Sequence, residues 1–342
     1  MNSFNSFYVG FGICVTVIKN FQGMYCYFSK TILYYNMVYN CFKDVWKMRN
    51  ELICAGKKTY YYAGLYKIGV YKINEKEVCL IDAGIDEDTA AKLDRLIEEK
   101  GWRVSLIINT HYHADHCGGN YYFQQKYKCK IYASKMNAAL ISNYDICPAI
   151  VWGATPLTVL LDHYYYTKST DAEDIEDKEL PKGLTLLELP GHAISMLGVR
   201  TEDDVIFLGD ALVGVDTLKK EKITYIYEIG DYLNSLDKVE KLSAKLFIPY
   251  HSEPVKDIRE LVRINRDNVL TNLKRIKAIC KTPRHFDDIV REFFNDVDLE
   301  LTLYKYNVKG GIIKTYLTYL HNTGQMETEC IDNYVMWQTI KR

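Results

Sequence analysis

The residues best suited to chemistry crowd into one short stretch, Thr110-His111-Tyr112-His113-Ala114-Asp115-His116. It begins where the apolar run 104–108 stops and precedes Gly118 and Gly119. His111 and His113 are two apart and His116 directly follows Asp115, so a turn leaving a strand can aim them in two pairs at two neighbouring metal ions. Packing alone is a poor explanation for so dense a group of imidazoles and carboxylate. Two dications lower the pKa of a shared water, making hydroxide available near neutral pH, while one of them polarises the carbonyl or phosphoryl oxygen under attack. The chemistry indicated is metal-assisted hydrolysis.

The order His-x-His-x-Asp-His resembles the signature of the metallo-β-lactamase superfamily, and further landmarks follow in the family's order over roughly residues 60–255. Pro190-Gly191-His192, after the strand-like run 184–189, is similar to the family's third imidazole. Phe207-Leu208-Gly209-Asp210-Ala211 resembles its bridging aspartate, and Ile248-Pro249-Tyr250-His251 its final histidine. The resemblance implies that His111, His113 and His192 hold one metal, that Asp115, His116 and His251 hold the other, and that Asp210 and a hydroxide bridge them. By position, Asp115 or Asp210 is the catalytic group that relays a proton to the leaving group, although a metal-bound carboxylate is a weak base. The ligand types suit two zinc ions and also admit iron or manganese. Asp82, in Leu80-Ile81-Asp82-Ala83-Gly84, resembles a residue that accepts a hydrogen bond from the second nitrogen of a ligand histidine; the same residue also reads as a strand-ending turn aspartate. His163, His285 and His321 lack such landmarks and read as structural, and Cys117 reads as packing or access control.

Departures from the family pattern narrow the reaction. An aspartate at 210, where many true β-lactamases carry Cys or Ser, together with His116 looks closer to the glyoxalase II and lactonase branches. A small ester-type substrate, a thioester or lactone, is therefore expected. Tyr250-His251-Ser252-Glu253-Pro254 does not match the glyoxalase II pattern around its last histidine, which argues against a glutathione thioester. One alternative is a metal-dependent phosphodiesterase or ribonuclease, since relatives that cut RNA carry winged-helix-like tails and residues 256–284 hold nine Lys or Arg against three acids. Interleaved Asp257, Glu260 and Asp267 favour a solvated helix face over nucleic-acid contact. Another is an iron-dependent oxygenase relative, against which His113 stands where flavodiiron relatives show glutamate. No serine has a G-x-S-x-G context, so a Ser triad finds no support.

The elements that must position these groups are legible from periodicity. Two β-rich runs, 65–73 and 78–81, flank the turn Asn74-Glu75-Lys76 and read as a hairpin. Residues 86–100 place Ala90, Leu93, Leu96 and Ile97 on one helical face, with Gly101 where a helix end expects glycine. A strand at 104–108, a helix at 120–127, a strand at 130–133 and a helix at 135–142 follow, which implies a layered α/β domain. The acidic run 167–183 reads as a solvated loop. Strands are expected at 184–189, 205–208 and 245–249 and a helix at 231–242. Beyond them come helices at 256–279, 287–294 and 311–320, then β-prone tails at 326–330 and 334–337. The expected architecture is an αββα sandwich of the metallo-β-lactamase fold over 48–255 with a small winged-helix-like module at 256–342. Substrate specificity is expected in the loop 149–170, with Trp152, Tyr164, Tyr165 and Tyr166.

Bulk properties set outer limits. With 48% hydrophobic and 25% charged residues the chain can bury a sizeable core, and its formal net charge of -1 supplies no whole-molecule attraction to polyanions. The ten cysteines never form a C-x-x-C pair and point to a reducing cytoplasm rather than a disulfide framework. The longest apolar run, 7–18, is shorter than the ~20 residues of a spanning helix, so no membrane segment is expected. Residues 1–47 hold 13 aromatics and one acid without a clean helical or strand period. They read as an extension preceding a natural start at Met48, or as an aromatic arm packing on the body.

Overall fold

The computed structural model describes residues 4–9, 13–20, 23–27, 50–161 and 166–341. Residues 1–49 and 50–342 are two units. In the first, Phe4–Val9 (β1), Ile13–Asn20 (β2) and Gly23–Tyr27 (β3) form an antiparallel meander. Aromatic and β-branched residues favour extended backbone even where, as here, the sequence shows no clean strand period. Met48, the expected start, lies outside the described residues.

Residues 50–342 are built on two facing sheets. The first contains Leu52–Cys54 (β4), Thr59–Ala63 (β5), Lys67–Lys72 (β6), Glu77–Ile81 (β7), Arg103–Ile108 (β8), Lys130–Ala133 (β9) and Ala172–Asp174 (β10), neighbours in chain order. Pairing is antiparallel from β4 to β7 and parallel from β7 to β10. The second sheet is Leu184–Glu188 (β11), Leu197–Thr201 (β12), Val205–Phe207 (β13) and Leu246–Ile248 (β14), with β13 and β14 parallel. Helices Glu87–Glu98 (α1), Ala114–Cys117 (α2), Asn120–Tyr127 (α3), Lys135–Ser142 (α4), Cys147–Trp152 (α5), Val215–Glu221 (α6) and Ile229–Glu240 (α7) connect and cover these strands.

Strand alternation sorts side chains into layers. In β7, Cys79 and Ile81 share an apolar core with Val199, Val205, Phe207 and Ile248 of the second sheet. Val78 and Leu80, pointing the other way, pack with Ala90, Leu93 and Ile97 of α1. β13 repeats the pattern: Val205 and Phe207 face the first sheet, while Ile206 joins Leu236 and Val239 of α7. Each such side chain contributes about 1.5–3 kcal/mol by leaving water, and the layers run helix, sheet, sheet, helix as expected.

Parallel neighbours bring strand ends together on one rim. The Asp82 N–H donates to Ile108 O (2.9 Å), Leu208 N–H to Ile248 O (3.0 Å) and Tyr250 N–H to Gly209 O (3.1 Å). Leu197 N–H to Thr110 O (2.9 Å) ties the second sheet to the histidine-rich turn. That turn lies close against the segment before α1: a Cβ at Gly118 would come within 1.9 Å of Ile85 O, and one at Gly119 within 2.2 Å of Ala83 O.

Beyond β14 come helices Arg259–Ile279 (α8), Phe286–Asp296 (α9) and Leu303–Asn322 (α10), with Arg284–His285 (β15), Met326–Ile331 (β16) and Tyr334–Thr339 (β17) in a small sheet. Val262, Val269 and Ile276 of α8 and Ile313 and Leu317 of α10 share one apolar core with α7 and the second sheet. Among the described residues no helix is long and apolar enough to cross a membrane.

Several elements differ from the sequence reading. β10 lies inside the acidic run read wholly as loop; backbone pairing to β9 (Ala172 with Ile131) forms it, which composition does not signal. α10 begins at Leu303 rather than 311, because the Thr302 side chain caps it by accepting from Lys305 N–H (3.2 Å) and Gly310 and Gly311 are carried within it. α8 begins at Arg259 rather than 256. β4, β5, β12 and α6 were not anticipated.

Candidate metal centre

Seven side chains from four strand ends meet at the rim in two groups: His111, His113 and His192; and Asp115, His116, Asp210 and His251. In each group the potential donor atoms lie within 4.8 Å of one another. All seven residues named from the sequence are thus brought together.

In the first group His111 Nε2 lies 2.9 Å and His192 Nε2 3.1 Å from His113 Nδ1. The other ring nitrogens are already committed. Thr110 Oγ1 donates to Asp82, so it accepts from His111 Nδ1–H at 3.1 Å. His192 Nδ1–H donates to Tyr225 O at 3.0 Å. Both Nε2 atoms therefore carry lone pairs, and a proton on His113 Nδ1 can serve only one of them. A cation serves all three, and tetrahedral zinc with Zn–N bonds of 2.0–2.1 Å would separate its nitrogens by about 3.3 Å, close to the spacing here.

In the second group Asp210 is the joint. Its Oδ1 lies 3.3 Å from His116 Nε2, and its Oδ2 lies 3.3 Å from His251 Nε2 and 3.4 Å from His192 Nε2 of the first group. Asp115 Oδ2 approaches His251 Nε2 at 3.0 Å. His116 Nε2 and Asp210 Oδ1 are buried with no hydrogen bond of good geometry and only each other's charge at 3.3 Å, a costly state that a shared cation would relieve. Asp82, held at φ 64°, accepts His116 Nδ1–H at 2.8 Å and Thr110 N–H at 2.7 Å. The hydrogen-bond role read for Asp82 is the one it has here. The donor set and its orphaned atoms fit a pair of borderline divalent ions.

The two groups differ in charge. Burial drives His111 well below its ordinary pKa and holds His113 down to about 3, with neighbouring imidazoles adding to both. His192 is lowered by burial as well. Burial opposes protonation of His116 and His251 too, but Asp82, Asp210 and Asp115 raise His116 well above its ordinary value, and Asp210 and Asp115 raise His251 to about 10. Burial likewise opposes ionisation of Asp115 and Asp210, yet the facing histidines keep Asp115 at about 2 and Asp210 well below the carboxylate range. The first group is a nest of neutral lone pairs; the second is internally ion-paired.

Several residues support the centre in roles that the sequence reading did not give them. Buried Asn137 accepts Tyr112 N–H (3.0 Å) and donates to Ile194 O (2.7 Å), joining the turn to the His192 loop. Tyr250 stacks on His116 with ring centroids 3.8 Å apart and donates its hydroxyl to Asp115 O (2.6 Å). The Tyr225 ring lies 4.9 Å from His113 and 5.5 Å from His192. Of the expected specificity loop, Tyr164 and Tyr165 lie outside the described residues, as does His163, and Tyr166 is bonded to Asp145 (2.9 Å). Cys117 is buried with its thiol donating to Tyr112 O (3.1 Å), and burial raises its pKa well above the usual value, so it packs as a neutral thiol. His285 and His321 belong to the C-terminal segment, beside Tyr334 and Trp337 respectively.

Residues 66–251 match the family model described as the metallo-beta-lactamase superfamily. A hydroxyacylglutathione hydrolase of Nitrobacter hamburgensis is 39% identical over 138 residues, 39% of this chain and 44% of that protein. One of Rhodopseudomonas palustris is 26% identical over 191 residues, 54% of this chain and 63% of that protein. The matches therefore span about half the length of these curated relatives. Among solved structures, a metallo-beta-lactamase family protein of Thermus thermophilus superposes with TM-score 0.62 at 20% identity, covering 80% of this chain and 94% of that one. A beta-lactamase domain protein of Burkholderia ambifaria gives 0.63 at 16% identity, covering 85% and 94%. These two likenesses are of fold.

Proposed function

The chain belongs to the metallo-β-lactamase superfamily, and from that premise we propose that it is a binuclear metal-dependent hydrolase of small ester-type substrates, a thioester or a lactone. The observation that carries this reading is the convergence of seven donors into two groups joined through Asp210. His111, His113 and His192 would hold one ion, and Asp115, His116 and His251 the other, with Asp210 between them. Zinc is the metal assigned, on donor type and spacing. Bound there, two such ions supply a nucleophile by lowering the pKa of water and polarise the carbonyl under attack.

The protein's own groups divide the remaining work. Asp210, with its side chain 7% exposed and set among three imidazoles, fixes the spacing of the two groups. Asp115, 22% exposed, reaches solvent and is the carboxylate assigned to carry a proton toward the leaving group. Asp82, Thr110 and Tyr225 O hold the ring tautomers that leave Nε2 of His116, His111 and His192 free to bind.

The names of the curated relatives support a thioester. In the segment after His251, Glu253 pairs with buried Lys67 (3.1 Å), so that lysine's charge is met within the protein rather than by an anionic peptide. The nucleic-acid alternative draws less support. Arg259, Arg263, Arg266, Arg275 and Arg284 in the basic stretch are all ion-paired with acids, and β16 presents Glu327 and Glu329 to solvent. Residues 256–342 are proposed as a winged-helix-like module. A reducing cytoplasmic setting is part of the proposal and is supported by seven free thiols among the described residues.

The test is a panel of a hydroxyacylglutathione, a simple acyl thioester, a lactone, a phosphodiester and a β-lactam on metal-quantified protein. Thioester or lactone turnover that disappears on chelation and in His113→Ala is the expected result. Turnover confined to the phosphodiester would overturn the assignment.

A further inference from the structure

Segment 221–227 is gripped from two sides. On one side its backbone holds the third histidine: Tyr225 O takes His192 Nδ1–H at 3.0 Å, and Tyr227 N–H donates to Gly191 O and His192 O at 2.8 and 3.1 Å. On the other side its carbonyls are taken by side chains of the C-terminal helices. Lys309 Nζ, from α10, donates to Glu221 O (2.8 Å), Ile223 O (3.1 Å) and the Glu221 carboxylate (2.9 Å). An ammonium has three protons, and all three are used. Asn268 and Asn272, from α8, donate to Lys222 O at 2.9 and 3.1 Å. Lys222 stands at φ 62°, ψ -40°, a conformation that a residue with a Cβ keeps only where its surroundings over-determine it.

The same helix reaches the loop that follows Asp210. Buried Asn265 accepts Val213 N–H (3.1 Å) and donates to Val213 O (2.9 Å), three residues beyond Asp210. Asn265, Asn268 and Asn272 follow the i, i+3, i+7 spacing that places side chains on one helical face. This polar ladder on an otherwise apolar face, together with a buried, fully bonded lysine, is an expensive arrangement for packing alone.

We propose that the C-terminal helices are a working part of the metal centre, with Lys309 a positioning residue that fixes His192 through segment 221–227. The inference rests on reading His111, His113 and His192 as an ion site. It gives α8 and α10 a task in the reaction separate from any binding of a partner.

The experiment titrates the full chain with zinc alone against a chromophoric chelator. Lys309→Met keeps length and apolar stem but removes all three donors. It is expected to weaken one of the two zinc ions by about ten-fold or more, the scale on which outer partners of ligand histidines act, and to leave the other unchanged. Combined with His192→Ala it should add nothing, because the ligand it positions is gone, whereas with His251→Ala it should keep its full effect. Lys314→Met, an exposed charge on the same helix, should change neither ion. Should Lys309→Met fail to fold by circular dichroism, Asn268→Ala removes a single donor to Lys222 O and should weaken the same ion to a smaller degree. A folded variant with both affinities intact, or with both weakened equally, overturns the positioning role. A wild-type chain that binds no zinc overturns the metal-centre reading itself.

Discussion

Asp82→Asn isolates the effect of a single acceptor behind the second group. Asp82 is buried, sits at φ 64° and accepts from Thr110 N–H (2.7 Å), Thr110 Oγ1 (2.9 Å) and His116 Nδ1 (2.8 Å). Asparagine tolerates positive φ nearly as well as aspartate, so the backbone should stay in place. Its one oxygen can still accept from Thr110 N–H, but the amide nitrogen offers a donor where His116 Nδ1–H needs an acceptor. The lost charge-assisted hydrogen bond is worth about 2 kcal/mol, and the neutral His116 ring then favours the tautomer with its proton on Nε2, the atom that faces the proposed ion. At 1.36 kcal/mol per decade that becomes roughly a 30-fold loss of affinity for one ion, within the range for residues that orient metal-bound histidines. Zinc competition against a chromophoric chelator reads the change directly, with His192→Ala as the reference for loss at the other group. A folded Asp82→Asn protein that binds both ions as tightly as wild type would refute the reasoning.

Other outcomes follow from the same geometry. Gly118→Ala should destabilise the protein by about 1–3 kcal/mol, since the new methyl must displace Ile85 O from 1.9 Å; an unchanged melting temperature would count against the close approach of these segments. Asn265→Leu should cost about 2–3 kcal/mol by stranding Val213 N–H and C=O, read from urea unfolding of metal-free protein. In metal-free protein His251 is raised to about 10 and His116 well above its ordinary value, whereas His113 is held at about 3. Near pH 8, filling the second group should therefore release protons and strengthen as pH rises, while filling the first should release almost none. Calorimetry in buffers of different ionisation enthalpy distinguishes the two steps, and equal release from both would contradict the charge division.

The ligand set was legible because its signal is local and dense: three histidines and an aspartate within residues 111–116 leave few structural alternatives, and family order supplied His192, Asp210 and His251. The layers were legible because strand-like and helix-like runs alternate along 78–142 and the motif order resembles the family's; that β7 and β13 each divide their side chains between two cores is visible only in the fold. β10 was not, since three residues in an acidic run become a strand only through a neighbour's backbone. Nor were Asn137, Lys309 and the α8 asparagines, whose side chains look solvent-facing until tertiary packing sets them against carbonyls distant in sequence, or Tyr225, whose backbone carbonyl accepts from the His192 ring. Composition of residues 1–47 likewise concealed a meander that pairing, rather than periodicity, reveals.

The most direct test of the two-ion site is the metal content of purified protein by inductively coupled plasma mass spectrometry. Wild type should carry two divalent ions per chain, and His113→Ala and His251→Ala about one each, with turnover lost in both. Wild type without stoichiometric metal, or His113→Ala that still holds two ions, would contradict it.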